Sequence, residues 1–310
     1  MASTKRARTF SLDADSATYL AQIITYVRNA RSATRPEITI STSLSRTLAT
    51  KFIDMACELN LLRNGELRQS TGGRAPRLLN FNESAGSILF AELGATGFNV
   101  AASDLSGNLI GTSYVEADVS KGPEAVLALV EKSFDALINE FKIKNLWGIG
   151  IGVPGPVEFA NGIPVSPPIM PGWDKYPIRN RFSKKYQVPV WVDNDVNLMA
   201  LGEHALRKDS ITNELIFVKV GSGIGAGILT HGQLHRGAQG CAGDIGHIAL
   251  ASNDVPCRCG NLGCIEAVAG GLALVRDAEL AATSGESVFL SKLKKNNKKL
   301  LVQDVIAGSA

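Results

Sequence analysis

Three apolar segments, "SILFAELG" from Ser87, "GFNVAASDL" from Gly97 and "NLIGTSYV" from Asn108, follow one another with two residues between each pair. Strands joined that tightly pair as antiparallel neighbours, because parallel pairing needs a crossover of about a dozen residues or more. From Glu124 to Phe141 the pattern changes: Val126, Leu127, Val130, Phe134, Leu137, Ile138 and Phe141 recur at helical spacing. "LWGIGIGVPG" then returns to a strand. The order βββαβ predicts a mixed sheet covered by helices, an α/β fold. After the strand "VPVWVD", the run "LIFVKVGSGIGAGIL" starts a second, similar unit.

The chain is long enough for two or three domains, with 310 residues of which 45% are hydrophobic and 20% charged. No apolar run reaches the length of a membrane span, and the start "MASTKRARTF" lacks the apolar stretch of a secretory signal. The expected setting is cytoplasmic, with no membrane partner. Charge is uneven. Met1 to Arg77 holds twelve Lys/Arg against six Asp/Glu, whereas the remainder holds twenty against twenty-three. A basic surplus confined to the N-terminal quarter suggests a module that meets a polyanion, the other reading being a solvated basic face.

Leu20, Ile23, Ile24 and Val27 predict a helix over roughly Asp15 to Ala30. Thr34-Arg35-Pro36-Glu37 has the form of a capping box, so a short helix starts near Arg35. After the turn Ser41-Thr42-Ser43, the spacing of Leu48, Phe52, Met55 and Leu59 marks a third helix, leaving Arg46, Thr47, Thr50 and Lys51 outward. Asn60 suits a left-handed helix end. Leu61-Leu62-Arg63 then reads as a strand, and Asn64-Gly65 and Gly72-Gly73 offer turn signals for a hairpin carrying Arg68, Arg74 and Arg77. Three helices and a basic hairpin predict a winged helix-turn-helix over residues 1–82. Ser45, Arg46, Thr47 and Lys51 would meet base edges or phosphates in the major groove, and Arg74 the backbone or minor groove. The competing reading is a helical cap on an enzyme.

Two glycine turns, "ELGAT" (Glu92 to Thr96) and "GSGIGAG" (Gly221 to Gly227), could bring bare backbone N–H groups to phosphate oxygens, or serve only as tight turns. Between them, "VDNDVNLMALGE" gathers amides and carboxylates at a strand end. An Asp there can accept a proton from a substrate hydroxyl while an Asn fixes that hydroxyl, and the same residues suit a helix N-cap. Five cysteines, three of them within eight residues, fit reduced thiols at a metal better than disulfides. His247, Cys257, Cys259 and Cys264 supply one nitrogen and three sulfurs, a closed tetrahedral set for a structural zinc.

With these motifs in order, the chain resembles the ROK family (repressors, open reading frames and kinases), in particular its regulators with an N-terminal winged helix. The resemblance is carried by "GAQGCAGDIGH", "CRCGNLGCIE", "GVPGPV" and "VDNDVN". It implies an actin-like (ribonuclease H-like), two-lobed sugar-kinase-type domain over residues 83–310. By motif position, Asn194 and Asp195 would hold the sugar, with Asp195 the catalytic base in kinase members. Asp244, His247 and Glu266 would bind further hydroxyls, and Glu92, Gly94, Thr96, Gly221, Ser222 and Gly223 would match phosphate-binding turns.

Departures from the family pattern argue against ATP and magnesium chemistry. Glu92 stands where kinases carry Asp, Ser222 replaces Thr, Ile169 replaces an Asn, and Asp244 replaces Glu. Relative to the family the ROK domain is expected to be shortened at its C-terminal end, since the chain stops at Ala310 and its tail does not supply the adenosine-binding turn. The expected function is a sugar-responsive repressor of carbohydrate genes, whose partners are operator DNA, a monosaccharide or sugar phosphate effector, and a second copy in a homodimer. The alternative is an ATP-dependent sugar kinase using Asp195.

Overall fold

The computed structural model describes residues 12–68, 75–207, 213–251, 253–295 and 300–308. By internal contacts the chain divides into two compact units. One comprises Met1–Phe90, Val100–Ser113 and Lys132–Ile149; the other comprises Ala91–Asn99, Tyr114–Glu131 and Gly150–Ala310.

The N-terminal elements are α1 (Ala14–Ala30), β1 (Ser32–Thr34), α2 (Arg35–Thr42), α3 (Arg46–Glu58), β2 (Leu62–Leu67) and β3 (Arg77–Phe81). Each helix begins on a side-chain acceptor for its free amides. Asp13 accepts from Ser16 N, Ser45 from Leu48 N, and Thr34 and Glu37 form the reciprocal capping box expected from the sequence. The three helices bury Ile23, Val27, Ile38, Phe52 and Ile53 together with Leu62 and Leu79 from the strands. Asn60 closes α3 in the left-handed region at φ 59°.

Two expectations shift here. The fully buried stripe of α3 is Ala49, Phe52, Ile53 and Ala56, while Leu48, Met55 and Leu59 are only half-buried. Phe52 faces the core as expected, and Ala49 and Ala56, which cost little rotamer entropy on burial, complete the buried face with Ile53. Asn64-Gly65 is also not a turn. Both lie inside β2, where the pairing with β3 is irregular between Asn64 and Leu67, and Gly65 sits against the Asn80 side chain. β3 lies between β1 and β2. The other turn signal, Gly72-Gly73, and the wing residue Arg74 lie outside the described residues.

The chain leaves this module through Asn82, whose amide donates to Leu61 O at 2.8 Å and whose side chain donates to Asn60 O at 2.7 Å. Beyond it come β4 (Ser87–Leu93), β5 (Gly97–Asp104), β6 (Leu109–Glu116), α4 (Pro123–Glu140), β7 (Leu146–Val153), β8 (Val157–Glu158), β9 (Ile163–Pro164), α5 (Ile178–Tyr186) and β10 (Val190–Asn194). Five of these strands pair in the order β10-β7-β4-β5-β6, so the three tightly joined strands are neighbours as expected. α4 buries Val126, Leu127, Val130, Phe134 and Leu137. Phe141, expected on that face, lies just beyond the helix end and is 37% exposed, with its ring over Gly111.

The remaining elements are α6 (Asp195–Leu206), β11 (Leu215–Val220), β12 (Ile224–Thr230), β13 (Gln233–Leu234), α7 (Ile265–Ala269), α8 (Gly271–Ser284), α9 (Val288–Lys295) and α10 (Val302–Gly308). β11, β12 and β13 form an antiparallel sheet against which α6 packs. Gly227 makes that packing close: a Cβ there would lie 2.4 Å from the Ala200 Cβ. The tail is folded. α8, α9 and α10 share a small core of Ala278, Ala282, Leu290 and the completely buried Leu300. Among the described residues no helix is long and apolar enough to cross a membrane.

Candidate functional site

The end of β10 and the start of α6 carry three polar residues in a row. Asn194 is the N-cap of α6: its side-chain oxygen accepts from Val196 N and Asn197 N, and its amide nitrogen donates to Gly155 O at 3.1 Å. The capping role anticipated as an alternative for this cluster is therefore present. Asp193, 1% exposed, is held by Arg236 through Nη2 at 2.8 Å and Nε at 2.9 Å, and accepts from Asn197 Nδ2 at 3.0 Å. Arg236 in turn lies over the Phe159 ring, 3.8 Å from its centroid. A buried carboxylate demands such a partner, because removing one member of the pair strands an uncompensated charge.

Asp195 is also buried, at 5% exposure. Its Oδ1 accepts from Val196 N at 2.9 Å and its Oδ2 accepts from Lys219 Nζ at 2.6 Å. Lys219 and Arg236 were not singled out from the sequence. A signal for Lys219 existed: in "LIFVKV" it shares the parity of Leu215 and Phe217, which the strand turns toward its half-buried face.

The two glycine turns differ in what they leave open. In the first, Gly94 N donates to Gly97 O at 2.8 Å, Thr96 O accepts from Ala117 N, and Asn99 reaches the Glu92 carboxylate at 3.4 Å. In the second, Gly221 N donates to Gly223 O, Gly221 O accepts from Gly271 N, and Ile224 N donates to the Glu266 carboxylate at 2.9 Å. Glu266 lies so close that a Cβ on Gly223 would be 2.6 Å from its Oε2. One proposed hydroxyl ligand thus sits directly over the proposed phosphate turn, and Ser222 at its tip is exposed.

His247, Cys257, Cys259 and Cys264 converge, all ligand atoms lying within 4.8 Å of one another. Cys257 Sγ is 3.7 Å from His247 Nδ1, and Cys259 Sγ is 3.7 Å from Cys264 Sγ. A tetrahedron with zinc–sulfur bonds of about 2.3 Å has sulfur–sulfur edges of about 3.8 Å, so the spacing fits that ion. Burial, with the neighbouring Cys259 and Cys257 thiols, pushes Cys264 up to about 12. Burial also opposes ionisation of Cys259, but the Asn261 amide and the other two thiols together bring it below the usual thiol value. A dication would bind all three as thiolates.

The loop before these ligands presses backbone on backbone against β12. A Cβ on Gly243 would lie 1.7 Å from Ala226 O, and one on Gly246 2.2 Å from Ile224 O. Asp244 lies between these two contacts in the chain, and His247 directly follows the second. Burial raises the Asp244 carboxyl above its ordinary value, Glu266 adds to this, and the Cys241 thiol opposes it. The structure brings Asp244, His247 and Glu266 around the Cys cluster and Asp195 beside Lys219.

On α3, Ser45, Arg46, Thr47 and Lys51 are exposed in and around the first two turns. Ser45 spends its hydroxyl oxygen on the cap, accepting from Leu48 N at 3.3 Å. Nearby, Arg35 pairs with Asp54 at 2.6 Å and Arg68 with Glu37.

A family model described as "ROK family" matches residues 89–306, and the chain belongs to that family, with its mixed α/β, sugar-kinase-like fold. Among curated relatives, a xylose repressor of Caldicellulosiruptor bescii is 35% identical over 248 residues, which is 75% of this chain and 61% of that protein. The chain therefore spans about three fifths of that relative's length. The crystal structure of a ROK family transcriptional regulator, homologous to the Escherichia coli MLC protein, aligns with a TM-score of 0.78 over 96% of this chain and 74% of its own, at 22% identity. A ROK family glucokinase from Streptomyces griseus, solved with glucose and AMPPNP, aligns over 64% of this chain and 62% of its own at a TM-score of 0.56 and 28% identity.

Proposed function

We propose that this chain is a sugar-responsive DNA-binding transcriptional regulator, acting as a repressor. In this reading residues 1–82 form a winged helix-turn-helix and residues 83–310 an actin-like effector domain. The observation that carries it is the N-terminal face of α3, where Arg46, Thr47 and Lys51 are exposed, polar and basic on a helix whose opposite face is core. Such a face suits the major groove: the basic groups neutralise phosphates and the N-terminal residues reach base edges. The relatives named as repressors support the same reading.

The effector is a monosaccharide or its phosphate, held by Asn194, Asp195, Asp244, His247 and Glu266. A structural zinc on His247, Cys257, Cys259 and Cys264 would hold the loop that presents three of these groups. With Nδ1 turned to the cysteines, Nε2 of His247 is left to meet a hydroxyl. In a homodimer, effector binding would change the spacing of two α3 helices and so the fit to a two-fold operator. Footprinting on the DNA upstream of its own gene tests the reading: a protected site that fades or strengthens with sugar is expected, and no protection at moderate salt removes it.

The second reading, an ATP-dependent sugar kinase with Asp195 as base, is favoured by the likeness to the Streptomyces griseus glucokinase. It requires sugar-dependent ADP release that Asp195→Asn abolishes.

A further inference from the structure

Lys219 is the feature of the site that neither packing nor the effector reading explains. β11 alternates cleanly: Ile216, Val218 and Val220 are exposed, while Leu215, Phe217 and Lys219 turn to the half-buried face. A lysine is costly on an inward face unless its ammonium is paired. Its stem runs beside the second glycine turn, where a Cβ on Gly221 would lie 3.8 Å from Lys219 Cε, and its Nζ ends 2.6 Å from Asp195 Oδ2. The Asp195 side chain is 6% exposed and that of Lys219 is 32% exposed, so solvent reaches the pair from the lysine side.

Asp195 is thus held from two directions. Oδ1 accepts from the Val196 amide in the first turn of a twelve-residue helix, where the helix dipole favours negative charge. Oδ2 accepts from the ammonium. The adjacent Asp193 does not compete for Lys219, because Arg236 neutralises it separately. Each carboxylate at the end of β10 has its own cation. A hydrogen-bond acceptor needs only a fixed, charged oxygen with a spare lone pair.

We propose that Lys219 is a positioning residue of the effector site: it holds Asp195 as a fixed carboxylate acceptor for a sugar hydroxyl. The inference rests on the effector reading above.

Calorimetric titration of the full chain with D-xylose, D-glucose and N-acetyl-D-glucosamine tests it. Lys219→Met is expected to weaken binding about tenfold or more, the worth of one charge-assisted hydrogen bond. Lys219→Arg should stay within about threefold of the wild type by keeping the charge. In an Asp195→Asn background, Lys219→Met should add no more than about twofold, because it acts through that carboxylate. Lys219→Gln serves as a second neutral variant should the methionine form not fold. Wild-type affinity in both neutral variants, or a full additional loss in the Asp195→Asn background, overturns the role of Lys219 and leaves the effector reading intact. A wild-type chain that binds none of the three sugars overturns the effector reading and this role together.

Discussion

The N-terminal module and the cysteine loop are ordered by different forces. In residues 12–82 the helices have side-chain caps, and a continuous apolar cluster runs from Ile23 through Phe52 to Leu79. Between Gly246 and Glu266 the described residues form little such core. The segment has isolated bridges at Ala249–Cys264 and Pro256–Leu262, exposed Ile248, Leu250 and Leu262, and four converging metal-ligand groups. One region folds by burying surface; the other gathers four groups that could hold a metal ion.

Stripping metal with a chelator, or Cys259→Ala, should have the largest effect. On the order of 10 kcal/mol of ion-binding free energy would leave the loop, with sugar affinity falling at least about tenfold while DNA binding by the N-terminal module persists. Calorimetry with and without chelator checks this, and sugar affinity unchanged in a folded, metal-free protein would break the proposed link. Phe52→Ala is the mirror experiment. Removing a completely buried ring should cost about 3–5 kcal/mol, read as a lowered melting transition of the N-terminal module with metal content unchanged.

Smaller effects sharpen the contrast within the module. Arg46→Ala should weaken operator binding by about 1–3 kcal/mol in a gel shift, with thermal stability unaltered because the side chain is exposed. Thr34→Ala should cost about 1 kcal/mol of stability through loss of the capping box, and should weaken DNA binding only as far as α2 frays. The smallest expected effect is a pH dependence. The Thr34 amide, then Arg68 and the Thr34 hydroxyl, hold Glu37 below its ordinary carboxylate value of 4.5. A depressed folded value contributes stability above the unfolded one and loses it as pH falls from about 4.5 through the lower folded value. Glu37→Gln should flatten that acid limb of the melting curve.

The same contrast explains what was legible in the sequence. Local signals transferred well: the Thr34–Glu37 box, the left-handed Asn60, the three tightly joined strands as sheet neighbours, and the metal set, whose ligand types announce themselves. Errors arose where a local signal met tertiary packing. Asn64-Gly65 reads as a turn in isolation but is absorbed into β2 as an irregularity, and the fully buried face of α3 takes in Ala49, Ile53 and Ala56 beside the expected Phe52. The ion pairs Asp193–Arg236 and Asp195–Lys219 join residues 43 and 24 positions apart, distances over which no periodicity in sequence speaks. Glu266 over Gly223 is a contact of the same kind.

The crossing of Gly243 and Gly246 over β12 also bears on how such a protein can change its tastes. With their Cα atoms against the carbonyls of Ala226 and Ile224, neither position can acquire a side chain without moving a strand. On the effector reading, the variation from which a new sugar preference could be selected is therefore channelled to the residues between and around them, Asp244 above all. There a one-carbon change in length alters reach without disturbing the frame, so divergence in this loop should proceed by exchanging tips on a conserved backbone.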